Sequence, residues 1–453
     1  MSAIEPLVRA PAAAADLLVR GAHVLDPRAG LDASHDVLIR DGEIAQLGAP
    51  GSLDAPAGTE IVDGAGHHLL PAFVDPHVHL RVPGQEHKED IESGTRAAAA
   101  GGYCAVVAMP NTSPVVDSAP GLRSLRDAAA RDARVPVGFL PAITRALAGR
   151  ELTEMAELRA LGALGFTDDG RPVVSAGVLR KALQYQRLCG GVIVLHEEDP
   201  SLSGAGVMHE GAISAGLGLT GIPSVSESTM VARDCALAGY EQARVHMQHL
   251  SCVESVGAVA DAKARGVRVS CEVSPHHLLL THEALRSLDT RMKMNPPLRT
   301  EEDRIGLIDG LRDGTIDTIA TDHAPHARHE KEVPFEQAPM GTTGLETAFA
   351  AIYTGLVAPG VLPLALVVEK LTSGGGLLGL PAPRIAVGEP ANVVLVDLEA
   401  TWEVAAEGYV SRSENCCFDG QKLHGRVLLT VAAGSVAYSE RALALAGAHE
   451  AVT

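Results

Sequence analysis

Between residues 68 and 378 the chain alternates short apolar runs with longer helical stretches, and this alternation limits its fold more than any other feature. The runs are Leu70–His77, Tyr103–Met109, Val135–Leu140, Ala163–Thr167, Val192–His196, Val245–His249, Val267–Val273 and Thr315–Thr321. Helical stretches at 88–100, 119–132, 151–161, 176–189, 226–239, 252–265 and 301–312 separate them. Units of this kind, eight in all, spell an α/β fold of the (β/α)8 TIM-barrel type, for which ~250 residues or more is typical. A doubly wound or flavodoxin-like sheet is the alternative, but such sheets usually have fewer strands.

The flanks have another texture. Residues 16–24 and 36–47 read as short strands with Asp-Gly turn punctuation, and 392–397, 427–431 and 434–438 repeat the pattern near the other end. Two β-rich flanks around a different middle predict one small composite β-sandwich domain built from both termini. The division is 1–67 and 379–453 for the sandwich and 68–378 for the barrel. At 453 residues the chain suits a large barrel plus such an appendage.

In barrels the chemistry sits at the C-terminal ends of the strands, and reactive residues recur there. The first run ends in Asp75-Pro-His77-Val-His79-Leu-Arg81, and i, i+2 spacing puts two imidazoles on one side of a strand. The fourth leads into Thr167-Asp168-Asp169-Gly170, the fifth into His196, the sixth into His249 and the eighth into Asp322. Each histidine alone is more often structural than a ligand. Four histidines and two aspartates at one rim form a donor set suited to zinc, and enough donors for two ions if one carboxylate bridges. Asp168 and Asp169 point oppositely in an extended strand, so only one can bridge. Asp322 opens Asp322-His-Ala-Pro-His326, where a carboxylate beside a metal-activated water can act as general base and then general acid.

These stretches, together with PGQEHKED behind HVHLR, MPNT, FTDDG, KMNPPLR and ATDHAPH, resemble class I dihydroorotases of the cyclic amidohydrolase superfamily. The resemblance covers nearly the whole chain. It implies that His77, His79 and Asp322 hold one zinc, that His196 and His249 hold a second, and that Asp169 bridges them. Many relatives in the superfamily bridge with a carboxylated lysine instead. No lysine lies near strand four, and Lys181 sits inside a helical stretch. Arg81 is expected to read a substrate carboxylate through its planar fork. Asn111, Asn295 and His326 match the family's other substrate-binding positions, and Met340 and Gly341 match a segment whose backbone touches the ring. The implied reaction is the reversible interconversion of L-dihydroorotate and N-carbamoyl-L-aspartate in pyrimidine synthesis, with two zinc ions per subunit and Asp322 moving the proton. The rivals are another cyclic-amide hydrolase (dihydropyrimidinase, hydantoinase or allantoinase) and a non-catalytic dihydroorotase-like partner of aspartate transcarbamoylase.

Net charge is −19, which argues against nucleic acid or an anionic membrane as a partner. No run approaches the ~18 apolar residues of a membrane span. The start of the chain lacks a basic region followed by an apolar core and cleavage site. The seven cysteines form no CxxC pair or framework, so a cytoplasmic setting is expected. A small-molecule substrate, a homo-oligomer and association with aspartate transcarbamoylase complete the expected partners. The charged stretch from Arg328 to Glu336 reads either as a cover that closes over the site or as an ordinary solvated connection, and His87, His276 and His277 read as structural.

Overall fold

The computed structural model describes residues 4–440, so residues 441–453 of the expected C-terminal flank lie outside the described residues. The chain begins with β1 (Leu17–Asp26), β2 (Leu31–Arg40), β3 (Glu43–Gly48), β4 (Glu60–Asp63) and β5 (His68–Pro71). β1 and β2 pair antiparallel with Leu17 opposite Ile39, and the turn into β3 is the Asp41-Gly42 pair, both with positive φ. Glycine tolerates that conformation, and Asp does so better than most residues.

The predicted run Leu70–His77 is in fact two strands. At Ala72 the chain leaves β5 and enters β6 (Phe73–Val78), the first strand of a parallel set. There follow β7 (Tyr103–Ala108), β8 (Val137–Phe139), β9 (Phe166–Thr167), β10 (Ile193–Leu195), β11 (Met208–His209), β12 (Gly221–Ile222), β13 (Val245–Met247), β14 (Val269–Val273) and β15 (Thr318–Ile319). β6-β7-β8 form one parallel ladder, β9-β10-β13-β14-β15 a second, and β11-β12 a small pair apart. Backbone hydrogen bonds from Leu164 to Phe139 and from Thr167 to Pro141, both 3.1 Å, join β8 to β9. At the opposite edge His79 N–H donates to the His323 carbonyl at 2.9 Å, beside a parallel bridge between Val78 and His323. All eight predicted runs thus contain a parallel strand, each shorter than its apolar run.

Helices lie between the strands where the periodicity places them, among them Ile91–Ala100, Ala119–Asp132, Ala176–Cys189 and Glu301–Asp313. Their starts are chemically marked. Asp90 accepts from the Ser93 N–H, and Thr300 and Asp303 cap each other reciprocally. The glycine-rich stretch Gly374–Leu377 forms a helical turn pressed on β6: a Cβ at Gly374 would meet the Val74 carbonyl oxygen at 2.8 Å.

β16 (Val393–Glu403), β17 (Lys422–Ala432) and β18 (Ser435–Ser439) then return to the first sheet, giving the order β18-β17-β16-β5-β1-β2-β3 with β4 on β1. Strands from both ends of the chain share this eight-stranded sheet. Its central strands are buried on both faces. Leu69, Val393 and Leu395 join one apolar cluster with Val19 and Ile39, whereas Leu70, Val394 and Val396 join the larger cluster around Phe73, Tyr103 and Phe166. The period-two alternation of a strand explains how one segment serves two cores. Among the described residues no helix is long and apolar enough to cross a membrane.

Candidate metal centre

The parallel strands deliver their polar residues to one end. His77 is in β6 and His79 just beyond it; Asp169, His196, His249 and Asp322 each follow a strand terminus by one to three residues. Arg81, His249 and Asp322 have positive φ of 61°, 27° and 47°, left-handed conformations that non-glycine residues seldom adopt and that cluster at functional sites.

His77 Nε2 lies 3.5 Å from Asp169 Oδ1 and 3.4 Å from Asp322 Oδ1; His79 Nε2 lies 3.5 Å from Asp169 Oδ2 and 3.1 Å from Asp322 Oδ1. Two donors bound to one tetrahedral zinc at ~2.0–2.1 Å stand about 3.3 Å apart, so this set is spaced as ligands would be. His196 Nδ1 and His249 Nε2 are 2.9 Å apart and face Asp169 Oδ1 at 3.7 and 3.9 Å. Two groups could each hold an ion, His77-His79-Asp169 and Asp169-His196-His249, with Asp169 common to both. Asp168 turns away to accept from the Thr144 backbone N–H and hydroxyl. Lys181 is exposed on its helix.

The outer ring nitrogens fix which nitrogen faces inward. His77 Nδ1–H donates to Glu272 at 2.6 Å, His79 Nδ1–H to Asn111 Oδ1 at 2.9 Å, and His196 Nε2 sits 3.4 Å from Glu198. Each acceptor leaves the lone pair pointing at the centre, which is how metal-binding histidines are oriented. The inward lone pairs and the shared carboxylate fit a divalent cation. Burial alone would raise the Asp169 and Asp322 carboxyls, yet the surrounding histidines bring both well below the ordinary carboxylate range.

Sequence reasoning missed the residues behind this ring. Glu272 in β14 accepts from His77, from His246 Nε2 at 3.0 Å and from the His249 N–H at 3.3 Å, and despite burial the His77 charge brings it down to about 2. Asp75 accepts from the His77 N–H at 3.0 Å and from Thr321, and burial raises it to about 7. Glu198 accepts from Asn295 Nδ2 at 2.7 Å. An acid inside an apolar strand was the available signal for Glu272; Asp75 and Glu198 each stand two residues from a histidine of the ring, but Thr321 and Asn295, which complete their contacts, are remote in sequence.

A cavity of about 230 Å³ opens on the centre, lined by His79, Asp169, His196, His249 and Asp322. Arg81, Asn111, Asn295, His326, Met340 and Gly341 complete its wall, together with Gly170 and Ala324. The cavity is smaller than the ~300–1,000 Å³ of drug-sized sites and suits a single small ring. Arg81 Nε donates to the Pro325 carbonyl at 3.0 Å; burial lowers the guanidinium to about 10, so it remains a cation at neutral pH. Asn111 spends its oxygen on His79 and one Nδ2 hydrogen on Asp169 at 3.1 Å, and His326 Nε2 donates to the Met340 carbonyl at 2.9 Å. The charged stretch is anchored beside the cavity. Lys331 Nζ donates to the Thr290 and Pro339 carbonyls at 2.9 and 2.8 Å, and Lys88 pairs with Glu330 at 3.0 Å. His87 is exposed, while His276 and His277 are buried, the latter donating to the Pro296 carbonyl at 3.0 Å.

Residues 66–255 match the family model described as dihydro-orotase-like. The chain is 45% identical to the dihydroorotase of Pelotomaculum thermopropionicum over 94% of its own length and 99% of that protein's. It is 46% identical to the dihydroorotase of an Anaeromyxobacter species over 94% and 98%. Among solved structures it resembles the L-hydantoinase (dihydropyrimidinase) of Arthrobacter aurescens, with a TM-score of 0.83 at 26% identity, covering 94% of this chain and 96% of that one.

Proposed function

We propose, for a chain that belongs to the dihydroorotase family, that it interconverts L-dihydroorotate and N-carbamoyl-L-aspartate as a cyclic amidohydrolase of class I. The observation that carries the reading is one small cavity in which a buried guanidinium, Arg81, faces four histidines and two aspartates. His77, His79 and Asp322 would hold one zinc, His196 and His249 a second, and Asp169 would bridge. When bound, the metal pair supplies Lewis acidity and lowers the pKa of coordinated water from 15.7 to about 7, which makes a nucleophile available at neutral pH.

The chain's own residues do the rest. Asp322, kept ionised by His77 and His79, takes the proton of the attacking water and passes it to the departing ring nitrogen. Arg81 has its Nε committed to Pro325 and one terminal nitrogen 3.5 Å from His326 Nε2, and its remaining N–H groups are available to the substrate carboxylate, which dihydrouracil lacks. Asn111 keeps one Nδ2 hydrogen for the same group. Asn295 and His326 bind around the ring, and the Met340–Gly341 backbone borders it. Synthesis follows the same path reversed.

The architecture in this reading is a (β/α)8 barrel over 68–378 with a β-sandwich from 1–67 and 379–453. The hydrogen bonds at both edges of the parallel set and the separate apolar cluster of the terminal sheet support it. A cytoplasmic homo-oligomer, associated with aspartate transcarbamoylase, belongs to the same proposal and is checked by gel filtration with and without that enzyme.

The test is turnover of metal-loaded protein on L-dihydroorotate, with dihydrouracil alongside. Activity on dihydroorotate alone is expected, and chelation should abolish it. Activity on dihydrouracil alone would replace this reading with a hydantoinase, and silence on both with metal bound would leave a non-catalytic partner.

A further inference from the structure

The segment between β16 and β17 leaves the terminal sheet and crosses to the cavity. Its Ser411 hydroxyl donates to Glu89, Arg412 pairs with Asp90, and Ser413 Oγ donates to the Lys88 carbonyl at 2.6 Å, so it grips the loop that follows Arg81. Two residues on, Asn415 is buried and its amide is fully used. Oδ1 accepts the His326 N–H at 2.9 Å, and Nδ2 donates to the Ala324 and Gly341 carbonyls, both at 3.1 Å. Its backbone carbonyl accepts from the Thr342 hydroxyl at 3.0 Å, and a short parallel bridge joins Thr343 to Cys416. Asn415 therefore clamps the chain on both sides of Pro325, whose carbonyl holds Arg81 Nε at 3.0 Å.

We infer that Asn415 is a positioning residue for carboxylate recognition: it fixes Ala324 and His326, hence the Pro325 carbonyl, hence the guanidinium of Arg81. The inference rests on the reading of Arg81 as the group that binds the substrate carboxylate. Only an amide fits this place. One acceptor and two donors are required within a single planar group, and a carboxylate of the same shape would face two carbonyl oxygens. Asn415 touches no cavity-bound atom in this scheme; it acts through the backbone.

The experiment is a double-mutant cycle on dihydroorotate turnover with Asn415→Asp and Arg81→Gln, accompanied by thermal melts and metal analysis. Asn415→Asp alone should raise KM by roughly 10- to 100-fold, the scale of penalty that a misplacement of about 1 Å brings, with kcat changed less and metal content unchanged. Added to Arg81→Gln, it should raise KM by less than about 3-fold, because two residues acting through one contact do not add. Equal effects in both backgrounds would assign Asn415 to general stability and overturn the inference, as would an unchanged KM in a folded single variant. If Asn415→Asp does not fold, Asn415→Ser takes its place in the cycle; failure of both to fold also overturns it. The parent reading fails separately, if wild type does not turn over dihydroorotate or Arg81→Gln leaves KM unchanged.

Discussion

In the terminal sheet Val19, Ile39, Leu69, Val393 and Leu395 are wholly buried among other aliphatic side chains. At the ends of the parallel strands the residues buried to the same degree are His77, Asp169, His249 and Glu272. Apolar burial contributes about 25 cal/mol per Å², whereas a buried polar group costs free energy unless every hydrogen bond is made. The rim adds left-handed backbone at Arg81, His249 and Asp322, and such conformations cost of order 1–3 kcal/mol each. The sheet stabilises and the rim destabilises in the service of chemistry, so substitutions should separate the two.

The widest separation is expected from Asp322→Asn, which removes the proton-transfer group. kcat on dihydroorotate should fall roughly 10²- to 10⁴-fold while the melting temperature holds or rises; a lower melting temperature would break the contrast. Leu395→Ala should do the opposite, costing about 2–5 kcal/mol in urea unfolding with kcat/KM per folded molecule unchanged. Arg81→Gln should raise KM roughly 10- to 150-fold through loss of about 1.5–3 kcal/mol of charged hydrogen bonding, again without unfolding; equal loss in kcat and KM would place Arg81 elsewhere in the chemistry.

A smaller effect should appear with pH. Burial and the Arg299 charge lower His209 to about 4, so between pH 6.5 and 4 the unfolded chain binds a proton that the folded one refuses. Stability is therefore complete above pH 6.5 and should decline below it by about 1.4 kcal/mol per unit from this group. His209→Gln should flatten that slope in thermal melts at constant ionic strength, and an unaltered slope would assign acid sensitivity to other residues. The least effect is expected from Lys181→Ala: activity within about 2-fold, since surface substitutions away from special features are near neutral. A large loss would replace Asp169 with a modified lysine as the bridge.

Much of this arrangement was readable because local pattern and tertiary role agree. The helix Ala176–Cys189 matches its expected span because Ser175 caps it, accepting from Val178, and a glycine follows Cys189. The histidines and aspartates His79, Asp169, His196, His249 and Asp322 of the cavity were readable because they mark strand ends, whereas Asn111, Asn295, Met340 and Gly341 carry no such local mark. The handover at Ala72 was not, since Leu69-Leu70 and Phe73-Val74 are equally apolar and nothing local records which sheet each joins. Gly374–Leu377 is helical although glycine disfavours helix; there the absent Cβ admits Val74 and Pro76. Glu272 and Asn415 escaped for the same reason as each other. Both gain their meaning from partners tens to hundreds of residues away, at His77 and at Ala324, His326 and Gly341.

The segment that carries Asn415 sets an order of events during translation. His326 leaves the ribosome roughly ninety residues ahead of Asn415, about 4–18 s earlier at ~5–20 residues per second. During that interval the parallel strands can assemble while the wall beside Arg81 has no clamp. A nascent chain stalled before residue 411 should hold metal yet bind carboxylate ligands poorly, so affinity for substrate would be conferred after affinity for metal.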